Sequence, residues 1–254
     1  NYLSAGLIFG GHISLFNLLA GQEIVPNPFL HWDDIYEKAL KVWTMYDGLI
    51  TPIQGQDWWY NQQAGTAVVH AYLNIFRKNE DAASLERMAL ESVAKIQDSN
   101  KNGCLYEARG EECRITEFQT AKDMEHQAAC GIVKIYLLHC FGGEGKIPTS
   151  KEELNLKLKG VYNYPYGNSI IHRTQNSFSC FSWRNCVMAL TLPQKGMWTV
   201  TAMVSSYTGV VKLRDNKQNT GSTCILNTEI NDEQGNKSNK ISNKNSNNSL
   251  NFGI

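Results

Sequence analysis

The densest run of chemically useful side chains lies between Tyr46 and Gln63. It opens with Tyr46-Asp47-Gly48, crosses a polar loop holding Gln54 and Gln56, and ends in Asp57-Trp58-Trp59-Tyr60-Asn61-Gln62-Gln63. Asp57 suits a helix N-cap, which places Trp58, Trp59 and Tyr60 in the first helical turn. A phenol there feels the positive end of the helix, which favours phenolate against an ordinary pKa of about 10. Trp58 and Trp59 are broad apolar platforms of the kind that stack on sugar faces. Gln56 and Asn61 offer neutral donors to hydroxyl or carboxylate groups. The bland alternative is a capped turn whose Trp and Tyr rings simply fill core.

A second cluster runs from His172-Arg173-Thr174 to Trp183-Arg184-Asn185. In a strand His172 and Thr174 face one way and Arg173 the other. Cations and amides beside aromatics suit an acidic sugar, or equally the solvated face of an edge strand. Three lesser candidates stand apart. His126 shares a helical face with Cys130, Val133 and Leu137, where a satisfied core histidine is the plainer reading. Arg114 follows Glu111-Glu112-Cys113 and is either an anion clamp or the partner of those acids. Asp33-Asp34-x-x-Glu37 resembles the metal-binding carboxylates of terpene cyclases, although acids in a first helical turn are expected from the helix dipole alone.

The elements that must hold these groups follow from periodicity. Leu3 to Leu19 reads as a helix closed by Gly21 and the Pro26-Asn27-Pro28 turn. A second helix opens at Asp33-Asp34, a third near Asp57, a fourth runs from Asp81 to Ile96, and a fifth from Thr120 to Cys140 ending at Gly142-Gly143. Lys151 to Lys159 is a short helix or a charged linker. From Ser169 the period falls toward two, and Pro193-Gln194-Lys195-Gly196 suits a hairpin loop. Strands are expected from about 169 to 213, with one more from Cys224 to Ile230. Residues 231–254 hold eight Asn, four Ser and three Lys and are expected to be disordered. The order is that of a segregated α+β chain: helices in 1–150, an antiparallel β region in 161–230, and a tail in 231–254.

Composition narrows the classes. With 42% hydrophobic and 19% charged residues the chain can bury a core. Its 24 basic and 24 acidic residues cancel, so no global field draws nucleic acid or an anionic membrane. The stretch from Leu3 to Ala20 is too glycine-rich and polar for a membrane span and lacks signal-peptide flanks. An opening inside a helical pattern suggests a piece of a longer protein. The seven cysteines contain no Cys-x-x-Cys pair and no zinc spacing, and read as mostly free thiols, with a Cys104–Cys113 bridge as the alternative.

Asp47-Gly48 leading through a polar loop to Tyr60, and Ile171-His172-Arg173 followed by Phe178 and Phe181, resemble the polysaccharide lyases built from an α/α toroid and antiparallel β-sheets. That group includes the chondroitin, hyaluronan and xanthan lyases and the heparinase II/III-like enzymes. The likeness covers residues 47–190 loosely. It implies an incomplete toroid, an antiparallel sheet or sandwich, and β-elimination on an acidic polysaccharide with no cofactor or metal. By this resemblance Tyr60, Asn61, Arg114 and His126 are catalytic, while Gln56, Trp58, Trp59, His172 and Arg173 bind substrate. An extracellular or periplasmic location follows from the same resemblance. Two departures stand out: the loop before Tyr60 carries no histidine, and five helices are fewer than a toroid needs.

Two rivals remain at this level. A toroidal glycoside hydrolase needs two carboxylates across a cleft, about 5 to 10 Å apart; Asp47, Asp57, Glu117 and Asp123 are the candidates. A non-catalytic carbohydrate-binding remnant would expose Trp58 and Trp59 and turn Tyr60 away.

Overall fold

The computed structural model describes residues 2–51, 67–100, 103–105, 114–116, 119–182, 188–193 and 199–200. Among these the chain is α+β, and it divides into two compact units. One comprises residues 1–52 and 56–154, the other 53–55 and 155–254. The expected strand near Cys224 and the expected tail lie outside the described residues.

The first unit is helical. Helix α1 (Tyr2–Leu19) carries no acidic residue in its first turn and no basic residue in its last. Its Gly10 and Gly11 allow close packing: a Cβ at Gly11 would overlap the Tyr72 ring, and one at Gly10 would crowd Trp32. Helices α2 (Trp32–Ile35) and α3 (Lys41–Trp43) are joined by a π-helical turn, Tyr36–Leu40, which buries Tyr36 and Leu40. Helix α4 (Val68–Arg77) is the centre of the unit, with every residue from Val68 to Ile75 buried. A helix so completely covered needs neighbours on all sides, and α4 packs on α1, α5 (Glu80–Ser99) and α6 (Ala121–Gly142).

Local chemistry sets the ends of these helices. Lys78 takes a left-handed conformation to close α4, and the Asn79 side chain accepts from the Ala82 amide at 2.9 Å to open α5. Glu80 and Asp81 then lie where the helix dipole favours negative charge. Gly143, at φ +92°, ends α6. An aromatic cluster of Phe29, Trp32, Tyr72 and Phe76 fills the space between α1, α2 and α4. A two-stranded ribbon, β1 (Arg114–Thr116) with β2 (Gln119–Thr120), precedes α6. Lys151–Lys157 is a helix, α7, rather than a linker.

The second unit contains an antiparallel meander whose described strands run β3 to β7 in sequence order. They are β3 (Gly160–Tyr164), β4 (Ser169–Arg173), β5 (Ser177–Ser182), β6 (Met188–Pro193) and β7 (Thr199–Val200). The sheet therefore begins before Ser169, the expected start. Pro165 and the left-handed Asn168 turn β3 into β4. Thr174 caps the next turn, its hydroxyl accepting from the amides of Asn176 and Ser177 at 3.1 and 2.9 Å. The pairs Leu190↔Val200 and Thr191↔Thr199 join β6 to β7 on either side of the expected 193–196 hairpin loop.

Tyr72 presents a simple energetic test of the helical core. Its hydroxyl is buried and has no hydrogen-bond partner among the described residues, and burial pushes its pKa up. A buried, unmatched hydroxyl costs free energy that a phenyl ring does not. Tyr72→Phe is expected to leave the urea midpoint unchanged or to raise stability by about 1 kcal/mol. A loss of that size would show that the hydroxyl has a partner.

Candidate functional site

The Asp47-Gly48 motif sits on a tight reversal of chain between α3 and residue 51. Thr44 and Ile50 form an antiparallel bridge, Met45 N–H donates to Leu49 O at 2.8 Å, and Thr51 N–H donates to Trp43 O at 2.8 Å. The Asp47 carboxylate accepts from the Leu49 amide at 3.0 Å. Gly48 is required at the apex for two reasons. Its φ is +77°, and a Cβ there would overlap Leu85 O and Ala89 N of the α5 backbone.

Behind this turn lies a buried histidine that sequence reasoning passed over. His70, on α4, is 0% exposed. Its Nε2 lies 3.0 Å from Gly48 O and its Nδ1 2.8 Å from Tyr36 Oη. A carbonyl can only accept, so Nε2 carries the proton and Nδ1 accepts from the tyrosine O–H. Burial lowers the His70 pKa to about 4, so the ring is neutral near pH 7. Burial likewise pushes the Tyr36 phenol well up, with help from the charges of Glu37, Asp81 and Glu86. The turn is thus held by the π-helical segment through Tyr36, by α4 through His70, and by α5 through direct backbone contact. The only sequence signal was a polar residue inside Val68-Val69-His70-Ala71, with nothing to name its partners.

Asp47 has its own chemistry. Burial raises its carboxyl from 3.8 to about 6, against the lowering effect of the hydrogen bonds around it. A half-buried carboxyl of this kind changes charge just below neutrality, the range used by general acids.

The expected site residues fare differently. Gln56, Trp58, Trp59, Tyr60 and Asn61 lie outside the described residues, as do Asp57, Glu117 and Cys113. Arg114 opens β1, which pairs with β2 immediately before α6. His126 is not a core residue: it is exposed on α6, with its Nε2 3.6 Å from Cys130 Sγ. The apolar side of α6 that is covered carries Ala128, Ile135 and Leu138 instead. Strand registers place Arg173 opposite Phe178 and His172 opposite Ser179, on opposite faces of the sheet. Arg173 is 2% exposed, with its guanidinium 5.2 Å from the centroid of the Phe178 ring. His172 is half-buried, and burial lowers its pKa.

The acidic triplet is accounted for without a metal. Asp33 pairs with Arg77, Asp34 with Lys38 at 2.6 Å, and Glu37 with Lys41. Lys41 is buried and also reaches Asp81 at 3.0 Å, whose other oxygen accepts from the Thr149 hydroxyl at 2.7 Å. Among the described residues no group of three His, Cys, Asp or Glu could hold a metal ion.

A second polar network also escaped the sequence reading. Buried Glu86 on α5 meets His139 Nε2 of α6 at 2.6 Å and accepts from Asn74 of α4 at 2.8 Å. Asn74 Oδ1 in turn accepts from the Lys146 amide at 2.8 Å. These residues, with Arg87, Leu90 and Pro148 among others, line a cleft of about 310 Å³. The network ties three helices together and lines that cleft with one histidine of intermediate exposure.

No family model, curated protein or solved structure matches the chain.

Two predictions follow from the turn. Tyr36→Phe leaves His70 Nδ1 buried without a donor and is expected to cost about 1–3 kcal/mol in chemical denaturation, unlike Tyr72→Phe. For Asp47 the folded pKa lies above the unfolded one, so the stability tied to it is complete below pH 3.8 and is lost as pH rises through about 6. Asp47→Asn is therefore expected to stabilise the protein by about 1–3 kcal/mol at pH 7.5 and by no more than about 0.5 kcal/mol at pH 4. His70 runs the other way, with stability complete above pH 6.5 and falling as pH drops toward 4. Melting temperatures of Asp47→Asn and the parent at the two pH values separate these contributions.

Proposed function

We infer that this chain belongs to a polysaccharide lyase that cleaves a uronic-acid-containing polymer by β-elimination. The observation that carries the reading is the clamped Asp47-Gly48 turn. It fixes the point from which the chain enters the segment holding Gln56, Trp58, Trp59, Tyr60 and Asn61. A rigid entry of this kind is what a loop presenting catalytic groups requires. The α+β order of the chain agrees with a toroidal lyase, and the finer reading of an incomplete α/α toroid followed by a sheet or sandwich is part of the proposal. So is an extracellular or periplasmic setting, where such polymers are met.

The chemistry asks three things of the protein. The C5 proton of a uronate is weakly acidic while the neighbouring carboxylate keeps its full charge. Hydrogen bonds or cations must first disperse that charge, so that an enolate-like intermediate becomes accessible. Asn61 or Gln56, with Arg114 or His126, takes this role. A base then removes the C5 proton, the C4–O4 bond breaks, and an acid protonates the departing oxygen. Tyr60 serves as base in its phenolate form and as acid in its phenol form. Trp58 and Trp59 stack on the sugar rings. His70, fully enclosed, acts only through the position of Gly48. No metal or organic cofactor enters this scheme.

One observation favours a second reading. A carboxyl raised to about 6, as at Asp47, is a property of the acid in a glycoside hydrolase. That reading makes Asp47 the proton donor to the glycosidic oxygen, with a second carboxylate opposite.

The test is to incubate the protein with hyaluronan, chondroitin, heparan, alginate and xanthan while following the ultraviolet absorbance of unsaturated uronate. Elimination predicts a rise that Tyr60→Phe lowers at least about 100-fold, the scale of a lost general acid–base group. New reducing ends without the absorbance rise, abolished by Asp47→Asn, would transfer the case to hydrolysis. A folded protein producing neither on any of the five polymers would overturn both readings.

A further inference from the structure

Helix α1 is unusual for a surface helix. Its sequence, YLSAGLIFGGHISLFNLL, contains no charged side chain over 18 residues. One side is buried, through Leu7, Gly11, Ser14 and Leu15, against its own unit. The opposite side bears Phe9, Ile13 and Phe16, at i, i+4 and i+7, with Phe9 and Phe16 each 66% exposed. A helix that is apolar all round belongs in an interior, because the exposed rings gain nothing from water.

The face continues onto α6. The two helices lie side by side, with Lys134 Nζ 2.9 Å from His12 Nε2, and Gly142 close to the Leu18 side chain. Phe9 and Phe16 stand three residues before and four after His12, so they flank the side of α1 that meets α6. Phe141 stands seven residues after Lys134, on the side of α6 that meets α1, and Val133 adjoins it outward. Both are more than half exposed. Three aromatic rings and two aliphatic side chains therefore crowd one helix–helix seam.

We propose that this seam is a self-association surface, covered in solution by the same seam of a second copy of this chain. Three features select that occupant. The first is area: the five side chains leave on the order of 500 Å² of apolar surface open, taking about 200 Å² for each aromatic. A standard interface buries about 800 Å² on each partner, roughly two-thirds of it apolar in homodimers, so the seam supplies the apolar centre of one such interface. The second is charge. A twofold contact presses a patch against its own image; α1 brings no charge to repel its copy, Lys134 of α6 is half-buried against His12, and the chain as a whole is formally neutral. The third is that α1 itself carries no cationic flank, and Lys134 of α6 is half-buried against His12. A helix lying on a membrane surface carries Lys or Arg along its polar side; α1 has neither, and among the described residues no helix is long and apolar enough to cross a membrane.

Sedimentation velocity of the full chain between about 1 and 100 µM, the range in which interfaces of this size assemble, is the test. The expected result is a species of twice the 28.6 kDa chain mass that dissociates on dilution. Phe9→Asp with Phe16→Asp should return it to a monomer of unchanged circular dichroism, and Phe141→Asp alone should weaken the dimer at least tenfold. Ile147→Asp, at an 87% exposed position on neither helix of the seam, should leave the dimer intact. A monomer across the whole range overturns the proposal, and this arm needs no variant to fold. So does a dimer that survives the double substitution or is broken as readily by Ile147→Asp. Co-sedimentation of the monomer with anionic phospholipid vesicles, lost in the double variant, would assign the seam to a membrane surface instead.

Discussion

One neutral imidazole holds the helical unit's most demanding local geometry in place. His70 donates to a carbonyl of a left-handed glycine and accepts from a buried phenol, with no access to water on any side. Neither partner can be removed without leaving a polar atom buried and unmatched. The proton on Nε2 also fixes the direction of both bonds, so the arrangement has one tautomer and one orientation. Gly48 then rests against the α5 backbone so closely that no side chain fits between. The turn is defined by contact on one side and by hydrogen bonding on the other.

Burial acts on the two titratable groups around the turn in opposite senses. It keeps His70 neutral by lowering its pKa and pushes Asp47 toward its protonated form by raising its own. The stability tied to Asp47 falls as pH rises from 3.8 to about 6, while that tied to His70 falls as pH drops from 6.5 to about 4, so across that window the two trends oppose and largely cancel. The other buried polar groups are treated differently. Lys41 is surrounded by Glu37 and Asp81, and Glu86 by His139 and Asn74, so charge is matched by partners rather than suppressed. These pairs connect helices distant in sequence. They also fix residues 146–149 across the α4–α5 hairpin, through the Lys146 amide on Asn74 and Thr149 on Asp81 and the Glu80 carbonyl.

Helices α1, α5 and α6 were legible because their apolar residues recur at helical spacing, and α1 and α6 end at the punctuation of Gly21 and of Gly142-Gly143. Strand β3 was missed because Gly160 and Pro165 bracket it so closely that Val161, Tyr162 and Tyr164 did not read as a separate run. The stripe His126, Cys130, Val133, Leu137 was read as core, although α6 also carries Ala128, Ile135 and Leu138 at the same period. Periodicity reveals that a stripe exists, and only the neighbours decide which stripe is covered. Asp33, Asp34 and Glu37 illustrate the same limit. Their position at a helix start was readable, but the partnership of Asp33 with Arg77 comes from packing α2 against the end of α4. His70 was invisible as a functional residue for this reason too, since its meaning lies wholly in Tyr36 and Gly48.

The most direct measurement is the long-range ¹H–¹⁵N correlation spectrum of the His70 imidazole, followed from neutral pH down to about pH 4.5, below the ordinary histidine pKa of about 6.5. The expected result is a neutral ring protonated on Nε2 alone, with shifts that do not move through the ordinary histidine range while the protein stays folded. A ring that titrates near its ordinary pKa, or that carries its proton on Nδ1, would contradict the clamp and the positioning of the segment that follows it.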